Sequence, residues 1–226
     1  MFAGVAFDLD GTLVDSIADI GHALNCALRE ASLPTFEVSL VRTWVGDGPD
    51  GLIRRALAHL DIDDPHQKLG AQLRAGYDRA ALAAPLEHGC VYPGIDVALA
   101  TLAMRTPLAV VTNKPTHLAR AVLAAANLAQ HFRSVHGADH HALRKPAPAM
   151  LQAAAAQLGV TTTHMAMVGD SAADLGAATR AGCAAVFVDW GYGRPELPPD
   201  DRWRDPAPRF ARVTSADALL KTLLEP

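Results

Sequence analysis

The sequence predicts an α/β protein whose core is a doubly wound parallel sheet, with an all-helical domain inserted into it. Three observations predict this class. Short runs that are apolar on both faces alternate with helix-length segments, which is typical of parallel strands covered by helices. After the first run, about a hundred residues carry helical patterns only, whereas a crossover needs about a dozen. The 226 residues are 50% hydrophobic and 19% charged, as in a folded chain of one or two domains.

Five apolar runs are the candidate strands of this sheet. Each is short enough for a strand that is buried on both sides. They span residues 4–10, 108–112, 133–137, 165–170 and 184–190.

Helical patterns follow most of these strands. They cover residues 116–126, 147–158, 172–181 and 215–224. Thr116 and Ser171 are residue types that cap helix N-termini, and Gly159 and Gly182 are of the type that ends helices. Strand and helix therefore alternate as in a doubly wound sheet.

The excess residues after the first strand form the predicted insertion. Amphipathic patterns over 17–31, 50–60 and 66–83 predict its helices. We therefore expect a core made of residues 1–15 and 87–226, and a helical domain at 16–86. The Pro-rich segment 193–208 predicts a surface loop.

Composition excludes several classes of function. The net charge of −4 gives no broad basic surface, so we expect no nucleic-acid partner. No apolar stretch is long enough for a membrane span, and no signal segment is evident. The three cysteines lie far apart without metal-ligand spacing, which predicts no disulfide framework and a reducing compartment. We expect a cytoplasmic protein, monomeric or homodimeric, that does not bind membranes.

Chemically useful side chains follow the candidate strands. Asp8 and Asp10 end the first strand, although two carboxylates so close repel each other and are costly to bury. Thr112 and Asn113 end the second candidate strand and Asp170 ends the fourth, while Lys145 precedes a helix. In open parallel sheets, ligands bind at these strand ends. Oxygen ligands suit Mg²⁺, a lysine and a hydroxyl suit a phosphate, and a carboxylate facing phosphorus can act as a nucleophile.

Four motifs in order make the resemblance to a family specific. They are "DLDGT" (8–12), the turn at Thr112, "RKPAP" around Lys145, and "GDSAAD" (169–174). With them the chain resembles the haloacid dehalogenase-like hydrolase superfamily. The resemblance implies a Rossmann-like core, a helical cap at 16–86, and Mg²⁺-dependent hydrolysis of a phosphomonoester through an aspartyl-phosphate.

The resemblance also implies a role for each motif residue. Asp8 would be the nucleophile and Asp10 the general acid/base. Mg²⁺ would be held by Asp8, the backbone carbonyl of Asp10, and Asp170. The phosphoryl group would be bound by Thr112, Asn113 and Lys145. Asp174 would support the metal or orient Lys145, with Ser171 as a second supporting residue.

One segment of the cap bears on the substrate. "TWVGDGPDGLIRRAL" is similar to the cap of phosphoglycolate phosphatases, in which "WVGNG" is common. It implies a small phosphorylated metabolite as substrate, with 2-phosphoglycolate preferred. Asp47 replaces the usual Asn and would repel a substrate carboxylate unless it faces away. The candidate cap residues for substrate binding are Gly46, Asp47, Gly48, Arg54 and Arg55.

Other interpretations of these patterns remain open. The cap segment fits G-x-G-x-x-G, but it has no βαβ context and no acid twenty residues beyond it, which disfavours a dinucleotide site. "DLDGT" lacks the outer ligands of a calcium loop. His140 and His141 are adjacent and therefore favour an exposed loop. A phosphatase for another small phosphate such as a sugar phosphate, a phosphomutase, or a non-catalytic metal-binding regulator remains an alternative.

Overall fold

The computed structural model describes residues 2–193 and 210–225. Within them the strands are β1 (Gly4–Phe7), β2 (Val14–Asp15), β3 (Cys90–Val91), β4 (Leu108–Thr112), β5 (Ser134–Gly137), β6 (Met165–Gly169), β7 (Ala184–Val188) and β8 (Phe210–Val213). The helices are α1 (Ile17–Glu30), α2 (Val38–Arg42), α3 (Gly48–His59), α4 (Lys68–Ala83), α5 (Ile95–Ala103), α6 (Thr116–Ala125), α7 (Ala149–Leu158), α8 (Ala172–Ala181) and α9 (Ala216–Leu224).

Six strands form one parallel sheet in the order β5-β4-β1-β6-β7-β8. Alternate residues of its strands point to opposite faces. Phe7 and Val110 pack on one side with α5, α6 and α9, whereas Ala6 and Val111 pack on the other with α7 and α8. This two-sided burial is that of a doubly wound sheet, so the predicted fold class is confirmed.

Helices α1 to α4 lie between β2 and β3 and have an apolar cluster of their own. It is built around Leu24, Leu28, Leu52 and Leu73, and Leu118 of α6 joins it from the sheet side. The antiparallel pair β2–β3 stands where the chain leaves the sheet and returns to it. In the described residues no helix combines the length and apolarity that crossing a bilayer requires.

The predicted elements are present, with boundaries within a few residues, but some elements were missed. The short helix α2, the helix α5 and the edge strand β8 were not predicted. The two-residue strands β2 and β3 were also missed, because so short a stretch carries no periodicity. Apart from Gly193, the predicted loop at 193–208 lies outside the described residues.

The predicted helix caps were partly correct. Ser171 closes a capping box with Asp174, and Gly159 and Gly182 end their helices with φ of 73° each. Thr116 is not a cap, since α6 begins at that residue. Instead, Asp139 accepts hydrogen bonds from the Thr116 amide and hydroxyl, both at 2.8 Å.

Candidate active site

A cavity of about 260 Å³ lies between the carboxyl ends of the central strands and helices α2 to α4. Its sheet side is formed by the residues that the motifs singled out, and its far side by residues of α2 to α4 and the turn between α2 and α3. The strand order places β1 between β4 and β6, so three motifs meet at one edge of the sheet. The sheet-side residues that line the cavity are Asp8, Asp10, Thr112, Asn113, Lys114, Lys145, Asp170 and Ser171.

Asp8 lies directly beyond β1, where its amide donates to Val168 O at 2.9 Å. Its carboxylate is buried, and Oδ1 stands 2.9 Å from Lys145 Nζ. That contact is not aligned as a hydrogen bond, so Oδ1 is buried without a hydrogen-bond partner. Burial raises the pKa of Asp8 to about 7, with Asp174 and Asp170 adding to the rise and Lys145 opposing it. The charge of Lys145 thus does not fully offset the burial of Asp8.

Lys145 is fixed by three oxygen atoms at the centre of the site. Its Nζ donates to Asp174 Oδ1 at 2.7 Å and to Val111 O at 2.9 Å, in addition to its contact with Asp8. The other oxygen of Asp174 accepts hydrogen bonds from the Ser171 amide and hydroxyl at 3.0 and 2.6 Å. Both oxygens of Asp174 are thus engaged, which is the arrangement of a residue that orients Lys145.

Asp170 is held by the turn at 191–193. Its Oδ2 accepts hydrogen bonds from the amides of Tyr192 and Gly193 at 2.7 and 3.1 Å. A Cβ on Gly191 would come within 2.3 Å of Asp170 Cβ, and one on Gly193 within 2.1 Å of Asp170 O. The glycines of "GYG" (191–193) therefore allow the backbone of this turn to approach Asp170 closely. Burial, followed by Asp174, raises the pKa of Asp170 to about 6, although these hydrogen bonds oppose the rise.

The acidic residues fit a divalent metal ion. Asp8, Asp170 and Asp174 offer oxygens that lie within 4.8 Å of one another, and no other such group occurs in residues 2–193 and 210–225. Asp174 is engaged by Lys145 and Ser171, and Asp170 accepts from Thr12 and from two backbone amides, whereas Asp8 Oδ1 has no hydrogen bond. Counting Asp10, these four carboxylates make ion pairs with Lys114 and Lys145 alone among the residues that the structure describes. A cation with two charges balances them, and oxygen donors suit a hard one.

Asn113 joins the core to the cap. Its side chain donates to Gly46 O at 2.8 Å and to Lys145 O at 3.2 Å, and it accepts from the Lys145 amide at 2.8 Å. The backbone of Gly48 is also close, since a Cβ there would lie 2.5 Å from Asn113 O. Thr112 and Asn113 both line the cavity; the side chain of Asn113 is engaged, and the Thr112 hydroxyl accepts from the Lys114 amide at 3.2 Å.

Lys114 is a residue of the site that the sequence analysis missed. Its Nζ lies 3.0 Å from each carboxylate oxygen of Asp10, and Ser16 Oγ donates to the same carboxylate. The signal that could have revealed it is its place in "TNK", directly after the residues that end β4.

Of the five candidate cap residues, two line the cavity and three do not. Gly46 and Gly48 line the cavity. Asp47 faces Arg55 in an ion pair, and Arg55 also donates to Trp44 O, so neither side chain points at the motifs. Arg54 is exposed and lines a separate cleft between α3 and α4.

Arg42 is the cap cation that lines the cavity. It ends α2, and its guanidinium lies 5.1 Å from the ring centroid of Tyr192. It also donates to Gly191 O at 3.4 Å. It was missed because α2 has only five residues and was not predicted.

Two histidines that the sequence analysis considered, and three aromatic residues near the site, make structural contacts or lie exposed. His140 and His141 are exposed, as expected. The rings of Tyr92 and Trp190 pack with centroids 6.2 Å apart. The Tyr192 hydroxyl donates to Asp15 at 2.9 Å and accepts from the Ser16 amide at 2.7 Å.

This fold and site define a hydrolase of one family. The family model for haloacid dehalogenase-like hydrolases matches residues 2–182, and the chain belongs to that family. Its members typically use a metal ion, for which the acidic cluster is suited.

The relatives narrow the class to phosphatases. A phosphoglycolate phosphatase of Yersinia pseudotuberculosis is 39% identical over 191 residues, 84% of this chain and 82% of the relative. One of Chromobacterium violaceum is 39% identical over 192 residues, 83% and 85% of the two chains. The crystal structure of a predicted phosphoglycolate phosphatase from Haemophilus somnus has a TM-score of 0.83 at 30% identity and covers 98% of each chain. The chain is thus similar to phosphatases that act on small phosphorylated substrates.

Proposed function

We propose that this chain is a Mg²⁺-dependent phosphomonoesterase that hydrolyses 2-phosphoglycolate through a phosphorylated Asp8. The observation that carries the choice of substrate is the unpaired cation on the cap side of the cavity. Phosphoglycolate has a phosphate ester at one end and a carboxylate at the other, so it needs positive charge at both ends of its site.

Arg42 supplies that second charge. Among the described residues three cations line the cavity, and of these Lys114 is paired with Asp10 and Lys145 with Asp8 and Asp174. Arg42 has no carboxylate partner in the described part of the chain. A guanidinium is well shaped to bind a carboxylate. Because Asp47 is turned toward Arg55, its charge does not oppose this contact.

Three residues of the chain carry the chemistry of the proposed mechanism. Asp8 attacks phosphorus, Lys145 offsets charge on the phosphoryl oxygens, and Asp10 gives a proton to the leaving oxygen. Asp10 then takes a proton from the water that hydrolyses the aspartyl-phosphate. We assign Thr112 and the backbone of the Asn113 turn to binding the phosphoryl group. The cap excludes bulk water from these steps.

Mg²⁺ is the metal we propose, held by Asp8, Asp170 and the backbone carbonyl of Asp10. The all-oxygen donor set and the unpartnered Asp8 Oδ1 support this choice. When bound, the ion supplies positive charge that polarises the phosphoryl group. Asp174 and Ser171 support the site through Lys145, as their hydrogen bonds indicate.

We also propose that residues 1–15 and 87–226 form the core domain and 16–86 the cap domain. The separate apolar cluster of α1 to α4 supports this division. A cytoplasmic location is proposed in addition, and the free state of Cys26, Cys90 and Cys183 supports it.

Arg42→Ala tests the proposed substrate. It should lower kcat/KM for phosphoglycolate by about tenfold or more, the value of one hydrogen bond between charged groups. Turnover of an aryl phosphate, which has no carboxylate, should stay within about threefold of wild type because the reacting groups are untouched. The measurement is steady-state kinetics on both substrates.

The matched control for Arg42→Ala is Arg54→Ala, which removes an exposed arginine of the separate cleft. It should leave both substrates within about twofold of wild type. Equal losses on both substrates in Arg42→Ala would contradict carboxylate binding by Arg42. Wild-type enzyme that prefers a sugar phosphate or another alkyl phosphate without a carboxylate would contradict the phosphoglycolate assignment itself.

Gly191→Ala tests the proposed metal site. The added methyl would lie 2.3 Å from Asp170 Cβ, so the carboxylate or its supporting turn must move. We expect the Mg²⁺ concentration for half-maximal aryl phosphate turnover to rise about tenfold or more, as when the support of a metal ligand is lost. Gly70→Ala, whose methyl meets only a side-chain oxygen at 3.3 Å, serves as control. An unchanged Mg²⁺ requirement would argue against Asp170 as a ligand.

A further inference from the structure

We propose that Lys114 is a positioning residue for catalysis, which holds the Asp10 carboxylate on the leaving-group side of the cavity. The inference rests on the proposed role of Asp10 as general acid/base. It adds a residue that none of the four motifs includes.

The geometry of the pair is that of a fixed side chain. Lys114 Nζ lies 3.0 Å from both oxygens of Asp10, and the two side chains are only 6% and 15% exposed. Ser16 Oγ donates to Asp10 Oδ1 from the start of the cap. An ammonium and a hydroxyl thus define one orientation for this carboxylate.

Asp10 is also separated from the other acids. The cluster whose oxygens lie within 4.8 Å of one another contains Asp8, Asp170 and Asp174 but not Asp10. Lys145 forms ion pairs with Asp8 and Asp174, whereas Lys114 forms one with Asp10. Each lysine therefore serves a different carboxylate, one beside the proposed nucleophile and one beside the proposed acid/base.

The cap completes the surroundings of Lys114. Tyr77 of α4 is buried, and it lines the active-site cavity together with Lys114. Burial raises the pKa of Tyr77 to about 12, although the Lys114 charge opposes the rise, so the phenol stays neutral beside the ammonium. Burial acts to lower the pKa of Lys114, but Asp10 and Tyr77 together raise it above its usual value.

A flexible lysine suits a carboxylate that must change partners. During the reaction Asp10 exchanges part of its contact with Lys114 for the leaving oxygen. The four-carbon stem of lysine lets the ammonium follow this movement. Without Lys114 the Asp10 carboxylate keeps only its hydrogen bond from Ser16. A smaller fraction of the enzyme then has this carboxylate in the orientation that the reaction needs.

Lys114→Met tests the proposal by its dependence on the leaving group. We expect kcat/KM, which reports the phosphorylation of Asp8, to fall about tenfold or more for an alkyl phosphate and to stay within about threefold for an aryl phosphate, since aryl leaving groups need little protonation. Lys68→Met, an exposed lysine of α4, is the control and should change neither. A purely structural role of Lys114 would lower both rates alike.

Lys114→Met leaves the Asp10 carboxylate without its partner and could destabilise the fold. Two further variants therefore keep the proposal testable if Lys114→Met does not fold. Lys114→Arg keeps the charge and should retain more alkyl phosphate activity than Lys114→Met. Asp10→Asn/Lys114→Met removes both charges, and its rates should match those of Asp10→Asn within about twofold, since Lys114 acts through Asp10.

The outcomes separate this inference from the proposed function. Additive losses in the double variant, or no leaving-group dependence in Lys114→Arg and Lys114→Met, would overturn the role of Lys114 alone. If Asp10→Asn itself showed no leaving-group dependence, the acid/base assignment would fail and this inference with it.

Discussion

Asp8→Asn is expected to abolish turnover of every phosphate ester, by several orders of magnitude in kcat, because an amide cannot form the acyl phosphate. The fold should tolerate the change. Asp8 is one of four acids in a site with two lysines, and burial already raises its pKa to about 7. Removing this charge should therefore leave the melting temperature unchanged or higher.

The measurement is single-turnover and steady-state phosphate release with purified enzyme in excess Mg²⁺. Asp47→Asn makes the same chemical change on the cap, where the carboxylate faces Arg55, and should leave aryl phosphate turnover within about twofold. Turnover by Asp8→Asn above about a tenth of wild type would exclude Asp8 as the nucleophile, since a lost nucleophile costs far more.

Asp10→Asn should slow alkyl phosphate hydrolysis by about a hundredfold to ten-thousandfold, the usual range for general acid–base catalysis. The loss for an aryl phosphate should be much smaller in the first step, because its leaving group departs without a proton. Rates for a series of esters with graded leaving groups would give this dependence directly.

The structure predicts a second effect of Asp10→Asn. Lys114 would lose its only carboxylate partner in the described residues while remaining buried, so the melting temperature should fall. Equal losses of kcat/KM across the ester series would contradict the acid/base role, whether or not the melting temperature falls.

The sequence predicted the sheet and the core of the site because both follow from local pattern. A strand that is buried on both faces can be recognised in the sequence as a short apolar run. Parallel strands bring their carboxyl ends to one edge of the sheet. Asp8 and Asp170 could therefore be placed together although they are far apart in the chain. Lys145 and Asp174 also lie here, but their contact depends on how α8 packs, which no local pattern encodes.

The cap could not be predicted at the same level. Arg42, Arg54 and Arg55 have the same charge and lie on helices, so the sequence does not tell which one faces the cavity. The direction of each depends on tertiary contacts, such as the one between Arg55 and Asp47. Lys114 was overlooked for a related reason, since a lysine after a strand is usually a solvated residue.

The pairing of β2 with β3 has a mechanical consequence for the cap. The chain crosses between core and cap at two places, and these crossings are hydrogen-bonded neighbours instead of distant points. Asp19 of α1 strengthens the junction by accepting from the amides of Glu87 and His88, both at 2.8 Å. Two adjacent attachments leave a rigid body one easy motion, rotation about the line through them. We propose rotation about this junction as the opening motion of the cap, and such a rotation would break the hydrogen bonds from Asn113 to Gly46 O and from Arg42 to Gly191 O.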